Sequence, residues 1–179
     1  IQHRVNGAVS MNQLACFPRY VPHVFRWLLM GDGVLTFSAI PAMVFTRSRE
    51  GLDVPDLQFL FSPGSYTQTS GVLEREPGMS VNVCPARPDS RGSIMVENPD
   101  PLAPPTIRPN YLSAESDLQV MLSGMKQARR IMAADAMAEV STGETQPIDP
   151  IETVAEMRRV AQAIGTTIYH PVGTCKMGE

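Results

Sequence analysis

The chain has 179 residues, 43% of them hydrophobic, with 15 Lys and Arg against 18 Asp and Glu, for a formal charge of -3. That length and apolar content suit one large or two small folded domains and exclude a disordered chain, while 16 prolines and 13 glycines predict a loop-rich one. No Lys/Arg-rich block is present, so nucleic acid and an anionic membrane surface are set aside as main partners, because phosphate binding needs clustered cations.

Residues 1–9 begin without a Met, in what reads as the middle of a strand, so further sequence is expected upstream. Residues 21–30 predict a helix with Val24, Trp27 and Leu28 on one face, Pro22 in its first turn and Gly31 ending it. Residues 39–45 and 57–61 are apolar and rich in aromatic or β-branched side chains, and both read as strands. Residues 68–78 are polar and read as an exposed loop. In residues 79–85, Met79, Val81 and Val83 alternate with Ser80, Asn82 and Cys84, the period of a strand buried on one side. Pro88-Asp89-Ser90-Arg91-Gly92 is turn chemistry, and with residues 93–97 apolar again, an antiparallel hairpin is expected across it. Residues 98–110 hold five prolines and predict no regular element.

From residue 113 the period changes. Ser116-x-x-Gln119 resembles a capping box, Glu115 and Asp117 suit the positive end of a helix dipole, and Leu118, Met121, Leu122, Met125, Ala128 and Met132 lie on one stripe. Asp149-Pro150-Ile151-Glu152 is expected to open a second helix, carried by Ile151, Val154, Met157, Ala161 and Ile164 and closed by Gly165 in a left-handed conformation. Thr166-Thr167-Ile168-Tyr169 then reads as a short strand that delivers His170. Strands come grouped and two helices follow, with no internal repeat. The expected class is therefore α+β, an antiparallel sheet with helices packed against it.

No apolar run approaches the ~18 residues of a spanning helix, and no charged leader precedes an apolar stretch. Cys16, Cys84 and Cys175 are odd in number and lack a C-x-x-C spacing, which predicts buried or inert thiols in a reducing compartment rather than disulfides or a zinc site. His170, followed by Pro171 and Gly173, sits on a backbone with few alternatives. An aimed imidazole is a natural proton acceptor near neutral pH, and a structural or solvent-exposed histidine is the alternative. A Cys175–His170 nucleophile pair lacks a surrounding protease signature, and a metal at His170 and Cys175 lacks two further ligands. No metal is expected. Neither G-x-G-x-x-G nor G-x-x-x-x-G-K-[ST] occurs. Trp27, Phe59 and Phe61 could form an aromatic cage for a quaternary ammonium, although core packing is the simpler role.

Tyr169-His170-Pro171-Val172-Gly173-Thr174-Cys175-Lys176-Met177-Gly178 resembles the catalytic-histidine signature of the glucose-methanol-choline (GMC) flavin oxidoreductases, in particular the bacterial alcohol and choline dehydrogenase branch. Arg87-Pro88-Asp89-Ser90-Arg91-Gly92-Ser93, Asn98-Pro99-Asp100-Pro101 and Pro109-Asn110-Tyr111-Leu112-Ser113 resemble three further family stretches in the same order. Val5-Asn6-Gly7 and Asp32-Gly33-Val34-Leu35-Thr36 fit more loosely.

The resemblance implies that residues 1–179 form part of the substrate-binding domain of such an enzyme, with FAD held mainly by a segment of the same protein that lies outside this chain. It implies a small-molecule alcohol substrate, choline-like or an aliphatic or aromatic primary alcohol, and oxygen or a quinone as electron acceptor. It gives His170 the role of base and sets Ile168, two residues earlier on the expected strand, close to the flavin. The family's second catalytic His or Asn is expected beyond Glu179, so the chain alone is expected to be inactive. The cytoplasm, or the periphery of the inner membrane, is the expected location. A non-catalytic binding or assembly module of the same fold is the alternative.

Overall fold

The computed structural model describes residues 1–67, 71–147 and 151–173. A five-stranded sheet organises the chain, built from β1 (Gln2–Val5), β2 (Ala42–Thr46), β3 (Leu57–Ser62), β4 (Gly78–Pro85) and β7 (Ser141–Gln146) in the spatial order β2-β3-β4-β1-β7. Every neighbouring pair in it is antiparallel. Helices pack against this sheet, so the α+β expectation holds.

One long helix, α3 (Glu115–Met132), lies across β3 and β4. Its apolar stripe falls as the spacing predicts. Ala128 and Met132 join Leu57, Phe59 and Val81 in one buried cluster, while Leu118 and Met125 meet Ile151, Met157 and Val160 in a second. Met79 and Val83 pack beside these clusters, as their alternation requires. Ser80 and Cys84, on the opposite face, are buried as well, so β4 is covered on both sides.

Helix and sheet meet closely at Gly124. A Cβ there would stand 2.5 Å from Cγ1 of Val83 and 2.8 Å from Cδ2 of Leu57, and Leu57 is wholly buried. A mid-helix glycine is otherwise unfavourable by about 1 kcal/mol relative to alanine; here it sets the distance between the two layers.

The first predicted helix forms as α2 (Val21–Met30), with Gly31 at φ 69° ending it, after a single helical turn, α1 (Met11–Leu14). Its face is not buried. Phe25, Leu28, Leu29 and Met30 are all well exposed, and the edge strand β2 likewise exposes Met43, Val44 and Phe45.

Three expectations are corrected. Residues 79–85 do not form a hairpin with residues 93–97. Strand β4 pairs with β3 and β1, whereas β5 (Ser93–Met95) pairs with β6 (Thr106–Arg108) in a separate two-stranded sheet. The proline-rich segment does contain a strand, because Pro105 and Pro109 flank β6 rather than interrupt it, and a proline at a strand end removes no ladder bond. The helix α3 is not capped through Ser116: its N-cap is Ala114, and Ser116 Oγ instead donates to Asp89 Oδ2 at 2.7 Å.

A second ion-paired layer fastens the sheet's far edge. A short helix, α4 (Asp135–Ala138), leads into β7, and Arg129 of α3 holds Glu144 of β7 through Nε at 3.0 Å and Nη2 at 2.8 Å. Beneath this pair His3 of β1 is 8% exposed, with Nδ1 2.8 Å from Ser141 Oγ. Burial holds its imidazole below the ordinary value, with Arg129 acting in the same direction and the Glu144 carboxylate opposing.

Two stability predictions follow from this packing. Gly124→Ala should lower the free energy of unfolding by about 1–2 kcal/mol in urea titrations, overpacking outweighing the gain in helix propensity; an unchanged or higher midpoint would refute the close contact. Since burial lowers the pKa of His3 in the folded chain, the unfolded chain takes up its proton at higher pH, so this contribution to stability is full above about pH 6.5 and declines as pH falls below it. His3→Gln should make that decline shallower.

Candidate functional site

The segment that carries His170 grows out of α5 (Val154–Ile164). The expected Asp149 cap and Pro150 lie outside the described residues, and the helix starts later, at a different signal. Thr153 is the N-cap: its Oγ1 accepts from Glu156 N at 3.2 Å, and Glu156 Oε2 accepts from the Thr153 and Glu152 amides, each at 2.9 Å. Met157 and Val160 seat the helix against α3. Gly165 ends it, but not in a left-handed conformation: its φ is -63°. Glycine is needed there because a Cβ would fall 2.2 Å from the Ala161 carbonyl oxygen, which accepts from Gly165 N at 2.8 Å.

The strand expected at Thr166-Thr167-Ile168-Tyr169 does not form; residues 165–168 are irregular. Their β-branched side chains favour extended backbone, but a strand also needs a neighbour for its amides, and the amide of Tyr169 goes elsewhere. It donates to Thr167 Oγ1 at 2.9 Å, a local side-chain bond that replaces a ladder bond. Tyr169 then turns left-handed, at φ 62°, a conformation that costs a bulky residue roughly 1–2 kcal/mol. The spacing of Ile168 and His170 therefore does not put them on one side of a strand. Ile168 is half-buried and His170 is exposed, between Tyr169 at 82% and Val172 at 66% exposure.

A second loop approaches this segment from the other side. Tyr111 Oη lies 3.2 Å from Thr167 Oγ1. The loop is built from Asn110, whose Nδ2 donates to Arg91 O at 2.9 Å and to Ser113 Oγ at 3.1 Å, and from Leu112, which packs against the α3–α5 core. Arg91 belongs to the turn at 88–92, and that turn is pinned to the first turn of α3. Asp117, 2% exposed, accepts from the amides of Asp89 at 2.8 Å and Ser90 at 2.9 Å and from the Ser90 hydroxyl. Sequence reasoning assigns Asp117 only to the helix dipole; its burial as the anchor of this turn had no signal in the spacing. Arg91 Nη1 donates to the carbonyls of Pro88 and Ser90, as turn chemistry suggests.

Of two surface depressions, of about 450 and 420 Å³, the first is lined by Arg91, Arg108 and Asn110, beside this loop, and the second by His3, Arg129 and Glu144. Neither is lined by His170. The three aromatic side chains considered for a cage are not brought together as one: Phe59 is core, Phe61 packs beside it, and Trp27 is 47% exposed on α2. Cys84 is buried, which pushes its thiol up, whereas Cys16 is exposed. Cys175, Lys176, Met177 and Gly178 of the signature lie outside the described residues.

Comparisons with known proteins follow this architecture. A family model described as GMC oxidoreductase matches residues 88–179, just over half of the chain. An alcohol dehydrogenase [acceptor] of Pseudomonas putida is 34% identical over 166 residues, 90% of this chain and 29% of that protein. An oxygen-dependent choline dehydrogenase of Photobacterium profundum is 34% identical over 154 residues, 86% of this chain and 27% of that protein. Human mitochondrial choline dehydrogenase is 33% identical over 153 residues, 86% and 25% respectively. Among solved structures, a variant of formate oxidase from Aspergillus oryzae superposes with a TM-score of 0.84 at 18% identity, covering 97% of this chain and 35% of that one. A pyridoxine 4-oxidase from Mesorbium loti gives 0.66 at 23% identity, covering 79% and 28%. The chain thus spans about a quarter to a third of the length of the proteins it matches.

Proposed function

Because the chain belongs to the GMC oxidoreductase family, we propose that residues 1–179 are the substrate-binding part of an FAD-dependent enzyme that oxidises the CH–OH group of an alcohol, with His170 as the base. The substrate is choline-like or an aliphatic or aromatic primary alcohol, as the names of the similar alcohol and choline dehydrogenases suggest. Oxygen or a quinone is the proposed final acceptor. The observation that carries the proposal is an exposed imidazole at the end of a strained, hydrogen-bonded segment, within the residues that the family model covers.

The residues of this chain suit the ring of such a cofactor rather than its phosphates. A Cβ added at Gly173 would meet nothing within 4 Å, and Tyr169 and Val172 are exposed, so His170 stands on an open, largely apolar face. The sequence holds no G-x-G-x-x-G, so the cofactor's diphosphate is assigned to another segment of the protein. The family resemblance, rather than a shared strand face, is what assigns Ile168 a place near the ring. FAD, when bound, supplies an acceptor for two electrons.

His170 accepts the substrate's hydroxyl proton at an imidazole nitrogen. Removing that proton builds alkoxide character on oxygen, which weakens the carbinol C–H bond toward hydride loss. The proton is held as imidazolium until product leaves. The open face must be covered for this to work, since water would compete for the imidazole and screen the developing charge. The proposed location is the cytoplasm or the periphery of the inner membrane; no helix among the described residues is long and apolar enough to cross a membrane.

In the complete, flavin-loaded protein, His170→Ala should keep its FAD spectrum and lose about two to four orders of magnitude in kcat for alcohol oxidation. Retention of the parent rate under anaerobic single-turnover conditions would reject His170 as the base.

A further inference from the structure

Among the described residues, three that are not glycine have positive φ: Asn110 at 53°, Leu112 at 55° and Tyr169 at 62°. Their distribution is not random. Asn110 and Leu112 flank Tyr111, whose hydroxyl lies 3.2 Å from Thr167 Oγ1, and Thr167 Oγ1 in turn accepts from the amide of Tyr169. All the left-handed non-glycine backbone described in the chain therefore converges on one link between two loops, and His170 is the next residue along.

We propose that Tyr111 is a positioning residue for His170, acting through Thr167. The inference rests on His170 being the base. Thr167 can serve both partners at once, since its oxygen has two lone pairs and one proton: it accepts from Tyr169 N–H and exchanges a hydrogen bond with the Tyr111 phenol. The phenol thereby fixes the Thr167 rotamer, the fixed rotamer holds Tyr169 in its left-handed turn, and the turn sets the direction in which His170 leaves the backbone. Backbone of this kind persists only where its surroundings over-determine it, and it gathers where geometry matters to function.

The Tyr111 end of the link is anchored on both sides. Leu112 packs against the α3–α5 core, as does Ile164, the last residue of α5, and Asn110 ties the loop to the Arg91 carbonyl and to Ser113. Tyr111 cannot drift without pulling on both. The link itself lies on exposed surface, where a neutral hydrogen bond contributes little to stability. Its removal should therefore affect aim more than folding.

The test uses the complete, flavin-loaded enzyme. Tyr111→Phe keeps the ring and removes the hydroxyl; it should lower kcat about tenfold to a hundredfold, the scale of a small misplacement, with KM, FAD content and Tm close to the parent values. Thr167→Val should fall at least as far, Thr167→Ser should recover most of the rate, and the Tyr111→Phe/Thr167→Val pair should be no slower than Thr167→Val alone. In a His170→Ala background, Tyr111→Phe should cost nothing further. A parent-like kcat for Tyr111→Phe would overturn the proposal, as would a full additional loss on top of His170→Ala. If His170→Ala itself retains the parent rate, it is the assignment of the base that fails, and the two failures are told apart by that single variant.

Discussion

The approach of α3 to the sheet is the constraint on which the remaining geometry rests. At Gly124 the helix backbone comes within side-chain contact of Leu57 and Val83, and with that distance set the helix can do three jobs along its length. Its first turn presents Asp117 to the turn at 88–92. Its middle, through Leu118 and Met125, gives α5 an apolar bed. Its last turns offer Arg129 to Glu144 and so fasten the edge strand β7. The segment that carries Ile168 and His170 leaves the end of α5, so an error in helix–sheet spacing would propagate to the imidazole by way of Met157 and Val160.

Much of this framework was legible in the sequence because it obeys a period. The helical stripe from Leu118 to Met132 is buried on the face expected, and β3 and β4 are strands as their alternation implies, although β4 is covered on both faces rather than one because Ser80 and Cys84 are buried too. The four motif stretches that resemble GMC oxidoreductases also led to the right family. What escaped lacked a period or depended on a partner far away in sequence. Strand β7, Ser-Thr-Gly-Glu-Thr-Gln, has no apolar alternation; it is a strand because β1 offers it an edge and Arg129 holds Glu144. Thr166-Thr167-Ile168-Tyr169 has strand propensity without a strand to pair with, and Thr167 spends its hydroxyl on the amide that a ladder would have used. Gly165 was read correctly as a terminator for the wrong reason, because sequence cannot distinguish a glycine needed for φ from one needed to admit a carbonyl.

The candidate site was legible as a residue but not as a geometry. His170 stands out in sequence by its Pro and Gly neighbours, and by resemblance. Nothing in the spacing ties it to Tyr111, 56 residues away from Thr167, or ties the Tyr111 loop to Asp117 through Arg91 and Ser90. Those connections exist only once α3 and α5 lie side by side, which brings the residues preceding α3 against those following α5.

The distribution of apolar surface bears on how an exposed imidazole could act as a base. Phe25, Leu29 and Met30 on α2, Met43 and Phe45 on β2, and Ile94, Met95 and Ile107 on the small sheet are each more than half exposed. Apolar side chains this exposed gain free energy when another surface covers them. Several charges, by contrast, are paired within the chain, as in Arg26 with Asp32, Arg129 with Glu144 and Arg158 with Glu115. The chain therefore offers cover-seeking apolar faces together with an exposed histidine. In the proposed enzyme those two features have one cause: the substrate part supplies an aimed base and leaves to a neighbouring segment both the cofactor and the exclusion of water that makes proton transfer from an alcohol effective.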